Sequence, residues 1–191
     1  MFASRPGGDS SCVANLQLVD SEEYAKKFSE LFPSKVVQES VVEKCRKIIH
    51  HRDGTRTEEI YFLDNQTGRV LGYAKGKAEN GIERTAKIES LLTRAKAKSI
   101  IVVHNHPGST TFSKADISRM LEFESIDATI AAGHNGDVYY AADAYNAENA
   151  IRDYRVAYSK YVERYKMGDS EARDKAWTSS AMTSGFDYKR R

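Results

Sequence analysis

The chain has 191 residues and a formal charge of +2, too near neutral to argue for a protein that coats nucleic acid. That length suits one domain with an appendage, large enough to bury roughly 70% of its unfolded surface. Although 40% of residues are hydrophobic, no apolar run approaches the ~20 residues of a membrane span.

The start, "MFASRPGGDSSC", lacks the apolar core of a secretory signal. Cys12 and Cys45 form no CxxC pair, and Cys45 falls on the apolar side of a helical pattern, as a buried reduced thiol would. The expectation is a cytoplasmic protein.

Residues 1–20 read as a flexible N-terminus. Ser21 caps a first predicted helix, "SEEYAKKFSELF", with Tyr24, Phe28 and Leu31 on one face. A second helix fits 34–51, with Val37, Val41, Cys45 and Ile48 in register. His50 and His51 fall at its end, where cationic side chains suit the dipole. The period then changes to two. "EEIYFLD" (58–64) and "RVLGYAK" (69–75) form a predicted hairpin across "NQTG". A polar loop, "GKAENGIER", leads to an amphipathic helix over 85–98.

"SIIVV" (99–103) is continuously apolar, as in a strand covered on both faces. "HNHPGSTTFSKAD" follows, and "KADISRMLEFES" reads as a helix. "DATIAAG" and "DVYYAA" form a hairpin across "HNG", which makes His134 a turn residue. From residue 144 the chain reads as a helical extension. Ile151, Tyr154, Tyr158, Tyr161 and Tyr165 make one stripe, suited to packing within the chain or to a protein partner. A short helix around Trp177 and a solvated basic end, "DYKRR", complete it. The fold class is therefore α/β or α+β, built on one central sheet.

The chemistry concentrates after the apolar strand. Residues two apart on a strand point the same way, so His104 and His106 present both imidazoles to one point. Pro107 and Gly108 turn the chain, and Asp116, ten residues after His106, folds back as a third ligand. Two histidines and a carboxylate leave one position of a tetrahedral zinc open, the pattern of a catalytic site. A general base is then needed, and Glu58 and Glu59 start the first strand, where only one can face the metal. Ser113 is a hydroxyl near the site, suited to an oxyanion. Each feature also has a plain structural reading. A lone HxH is more often surface or core histidine, and Ser113 with Asp116 is close to a helix capping box.

The whole constellation resembles the JAMM motif of the MPN+ (JAB) metalloproteases: an upstream Glu, then "HNHP", a spacer and "SKAD". The wording of "IIVVHNHP" is similar to the RadC branch. "GTRTEEIYFLDNQTGRVL", "HNHPGSTTFSKAD" and "GHNGDVYY" look closer still to JAB-like domains of phage head-morphogenesis proteins. The resemblance covers roughly residues 34 to 141. Its spacer from His106 to Ser113 is one residue shorter than in RadC and the eukaryotic deubiquitinases, with Phe112 where those often carry Pro, so substrate preference is not carried over.

The resemblance implies an MPN/JAB-like (cytidine-deaminase-like) sandwich over 21–143, with a curved mixed sheet and flanking helices. It implies Zn2+ held by His104, His106 and Asp116, with Glu58 rather than Glu59 as acid/base and Ser113 polarising a carbonyl oxygen. The implied reaction is hydrolysis of a peptide or isopeptide bond in a protein or peptide substrate. Two alternatives stand beside it: a non-catalytic MPN interaction module of a phage or mobile-element assembly, and a RadC-like nucleic-acid-associated protein.

Overall fold

The computed structural model describes residues 12–76, 85–142 and 147–191. The expected loop "GKAENGIER" falls outside the described residues beyond Gly76, as does the predicted start of the C-terminal extension. Six strands form one mixed sheet in the order β2-β1-β3-β4-β5-β6. They are β1 (Glu59–Asp64), β2 (Val70–Lys75), β3 (Ile100–His106), β4 (Ile126–Gly133), β5 (Val138–Ala142) and β6 (Asp187–Arg190). β3 and β4 are parallel, and every other pairing is antiparallel.

Strand parity sorts the core into two layers, because successive side chains on a strand point to opposite faces. Tyr61, Leu63, Ile101, Val103, Ile130 and Tyr140 face α3 (Lys35–Arg52), whose Val37, Val41, Cys45 and Ile48 are the apolar positions expected from the sequence. Ile60, Phe62, Ile100, Val102, Ala131 and Tyr139 face the other way. They meet α4 (Ala86–Arg94), α5 (Lys114–Glu122), α6 (Ala147–Ser159) and α7 (Asp169–Ser184). The sheet thus has helices on both faces. No helix among the described residues is long and apolar enough to cross a membrane.

Several local expectations are corrected. The predicted helix from Ser21 is only α2 (Glu22–Lys26), although Ser21 does cap it. Beyond Lys26 the chain continues with i→i−3 hydrogen bonds and reaches a left-handed Glu30 at φ 66°, which tightens the turn while keeping Tyr24, Phe28 and Leu31 buried. Residues 12–20, expected to be flexible, are tied down. They form α1 (Leu16–Val19), bury Val19, and donate from Ala14 N–H to Asp53 and from Asn15 N–H to His134 O. The strand read as 99–103 extends to His106, so both histidines lie within β3.

The chain's end differs most. The helix around Trp177 is the 16-residue α7, and "DYKR" is no solvated tail but β6, paired with β5 through Tyr139↔Arg190 and Ala141↔Tyr188. Gly185, at φ 72°, ends α7 in the left-handed conformation and lets the chain turn into β6. α6 runs into a π-helical turn, Lys160–Arg164. Of the tyrosine stripe, Tyr154 is buried against Trp177, Tyr158 and Tyr161 are partly buried on the same layer, and Tyr165 is half exposed.

Candidate metal centre

β3 carries His104 and His106 on the parity that faces α5. Their Nε2 atoms lie 3.0 Å apart. Asp116, in the first turn of α5, sets Oδ1 3.6 Å from His104 Nε2 and Oδ2 3.4 Å from His106 Nε2. One ligand atom from each of the three lies within 4.8 Å of the others. The three donors are close enough together to hold a metal ion.

The donor set also has its protons arranged. His106 Nδ1 lies 2.7 Å from the carbonyl of Thr110, which only accepts, so Nδ1 carries a proton and Nε2 is the nitrogen that gains or loses one at the site. His104 Nδ1 is buried with no hydrogen-bond partner among the described residues. Burial disfavours a charged His106, but the hydrogen bond and charge of Asp116, with the charge of Glu58, raise its pKa to about 9. Burial likewise opposes ionisation of Asp116, and the facing imidazoles overcome it, holding the carboxyl well below the usual range.

Ser113 caps α5. Its Oγ accepts from Asp116 N–H at 3.2 Å and donates to Asp116 Oδ2 at 2.6 Å, while Ser113 N–H donates to the same oxygen at 2.8 Å. The capping box expected as the plain reading is therefore present, and it orients the candidate ligand.

The two glutamates separate. β1 pairs with β3 at Ile60↔His104. Continuing that register by two residues sets Glu58 across from His106 on the same face, consistent with its charge acting on that imidazole. Glu59 has the opposite parity and is buried on the α3 side. There its Oε1 meets Arg52 at 2.8 Å and His51 Nδ1 at 2.5 Å, with Lys75 at 3.8 Å. His51 is thus a partner of a buried carboxylate as well as a helix-end residue.

The loop from Pro107 to Ser113 is anchored from outside. Asn135 N–H donates to Ser109 Oγ at 2.9 Å, and Tyr139 OH donates to Ser109 O at 3.2 Å. Gly133 permits this approach, since a Cβ there would stand 3.3 Å from Ser109. Thr111 Oγ1 bonds Tyr188 OH at 2.7 Å, and Trp177 Nε1–H donates to Phe112 O at 2.9 Å. Phe112 is fully buried beside His104, with ring centroids 6.2 Å apart.

Comparison with protein-family models, with curated proteins and with solved structures finds no match.

The structure brings His104, His106, Asp116 and Ser113 together, and Glu58 falls on their face when the β1–β3 register is continued past Ile60. Sequence reasoning missed the anchors Thr110, Trp177 and Tyr188. It also read His134 as a turn residue. His134 is in the turn after β4, yet it is buried and bonded to Cys12 O at 2.6 Å and to Asn105 at 3.2 Å. The middle residue of HNH was the available signal: a polar side chain on a face otherwise filled by Ile101 and Val103 needs partners.

Proposed function

We propose that the chain is a zinc-dependent hydrolase of the JAMM type, cleaving a peptide or isopeptide bond. The observation that carries the reading is the convergence of His104 Nε2, His106 Nε2 and an Asp116 oxygen, with Glu58 on the same sheet face. A mixed sheet with helices on both faces is compatible with the MPN/JAB sandwich that the motif implies.

His104, His106 and Asp116 would hold the ion. When bound, zinc supplies Lewis acidity and lowers the pKa of a coordinated water towards ~7. The chain's own residues do the rest. The Thr110 carbonyl keeps one proton of His106 on Nδ1, so Nε2 is the nitrogen left to hold the ion once its own proton is displaced. The carboxylate of Glu58 would take a proton from the water that adds to the carbonyl carbon and return it to the nitrogen that leaves as the C–N bond breaks, as a general base and then a general acid. Ser113 orients Asp116 in the resting state. Its proton becomes free for a substrate oxygen when Asp116 Oδ2 takes another partner.

The test is elemental analysis of the purified chain beside His106→Ala, followed by a peptide-library screen of the loaded protein. About one zinc per chain, lost in the variant, is expected. Protein that takes up no zinc when zinc is offered would overturn the reading.

A further inference from the structure

The backbone ladder between β1 and β3 stops at Ile60↔His104. Glu58 lies two residues beyond it, where pairing with β3 no longer fixes its position. The side chain of Asn105, between the two histidines and fully buried, stands at that place. Glu59 N–H donates to Asn105 Oδ1 at 2.8 Å, and Asn105 Nδ2 donates to Thr57 O at 3.3 Å. These two groups belong to the peptide units that meet at Glu58 Cα. The Glu58 carbonyl itself accepts from Gly76 N–H at 2.8 Å. Both backbone dihedrals of Glu58 are therefore held by hydrogen bonds.

The amide's orientation follows from its partners. A backbone N–H only donates, so it faces Oδ1, and a carbonyl only accepts, so it faces Nδ2. The second Nδ2 hydrogen points to His134 Nε2 at 3.2 Å. His134 Nε2 must then accept, which puts its proton on Nδ1, donating to Cys12 O at 2.6 Å. Each polar atom of the Asn105 side chain has a partner, and an apolar residue at 105 would strand two backbone groups.

From this geometry we infer that Asn105, oriented by His134, is a positioning residue that aims Glu58 across the sheet face at the His104–His106–Asp116 group. The inference rests on the proposed function for the role of Glu58. It gives HNH a division of labour: the outer residues point to the metal centre, and the middle one clamps the strand that carries the acid/base. The same clamp ties the N-terminal segment, through Cys12, to the site.

The test compares the full chain with Asn105→Ala and Glu58→Gln by two readouts. The first is amide hydrogen exchange of metal-free protein. Asn105→Ala is expected to speed exchange at Glu59 at least ~10-fold while Ile60 and Tyr61 stay protected. The second is the visible absorption of the cobalt(II)-loaded proteins against pH. Asn105→Ala should bind the same amount of cobalt as the wild type, with its pH midpoint moved more than half-way to that of Glu58→Gln. A purely structural Asn105 would lower stability without moving that midpoint. An unchanged Glu59 amide, or a loaded variant with the wild-type midpoint, overturns the inference alone. Wild-type protein that takes up no cobalt overturns the proposed function on which it rests. If Asn105→Ala does not fold, His134→Ala, which keeps Asn105 but removes its Nε2 partner, is expected to show smaller changes in the same directions, and their absence counts against the clamp.

Discussion

Ser113 and Asp116 hold each other in both directions. The serine hydroxyl donates to Asp116 Oδ2 at 2.6 Å, and its oxygen accepts the Asp116 N–H at 3.2 Å. One residue pair thus starts a helix and orients a candidate ligand. Ser113→Ala is expected to cost about 1 kcal/mol of metal-free stability, the usual loss of an N-cap. It should also weaken zinc binding ~10-fold or more, as loss of a ligand's orienting partner does. Urea denaturation and a chelator competition check the two effects. A lost cap with unchanged zinc affinity would make Ser113 a helix-starting residue only.

Glu58 and Glu59 are adjacent and should fail differently. Glu58→Gln is expected to keep about one zinc per chain and lose hydrolysis by at least ~100-fold, the lower range for a general acid–base. Glu59→Gln should keep zinc but destabilise the fold by about 3 kcal/mol, because it leaves the buried Arg52 contact without its countercharge. Zinc content and denaturation midpoints of the two variants decide. Equal stability loss in both would mean that the faces have been assigned wrongly.

Much of this site was legible in the sequence. The period-two runs place Ile60, Phe62, Ile100 and Val102 on one face, and carrying that parity forward reaches His104 and His106. The cap at Ser113 and the buried Cys45 followed from local pattern. What escaped was set by tertiary contact. Apart from Trp177, the buried positions of α7 are small residues, Ala172, Ala176, Ser180 and Ala181, so its apolar period is faint and the helix read as short. "DYKR" carries the charges usual on an edge strand, and only pairing with β5 reveals it as one. Glu58 and Glu59 could not be separated by type, and the register of β1 on β3 was needed to part them.

Metal loading should depend on pH through the proton on His106. Its pKa in the folded, metal-free chain is about 9, above the ordinary ~6.5 of the unfolded state. A raised histidine contributes stability that is fully present below ~6.5 and is lost as pH rises through about 9. Asp116, held well below the usual carboxylate range, contributes stability present above ~3.9 and lost as pH falls through its lowered pKa. Zinc competes with the His106 proton. The rise in Tm on adding zinc is therefore expected to grow between pH 6.5 and 9, while metal-free Tm declines over the same window. Thermal melts with and without zinc measure both, and a zinc-induced rise independent of pH in this window would mean that His106 is not a ligand.

The C-terminal segment should matter to the metal centre as well as to the core. Trp177 is fully buried, stacks on Tyr154 with ring centroids 4.0 Å apart, and donates from Nε1 to Phe112 O at 2.9 Å. Phe112 immediately precedes Ser113, so the indole hydrogen bond fixes the chain just before the ligand-orienting cap. Trp177→Phe keeps an aromatic ring but removes the donor, leaving a buried carbonyl unpaired at a cost of about 2 kcal/mol. For a chain of this size that corresponds to a fall in Tm of about 4–8 °C. Loosening of the loop should also weaken zinc binding by ~10-fold, in line with loss of an outer partner. Met182→Ala, at a residue 84% exposed on the same helix, should change neither quantity. A Trp177→Phe protein that melts earlier but holds zinc as tightly as the wild type would show that α7 only completes the core, with the loop held by Ser109, Thr110 and Thr111 alone.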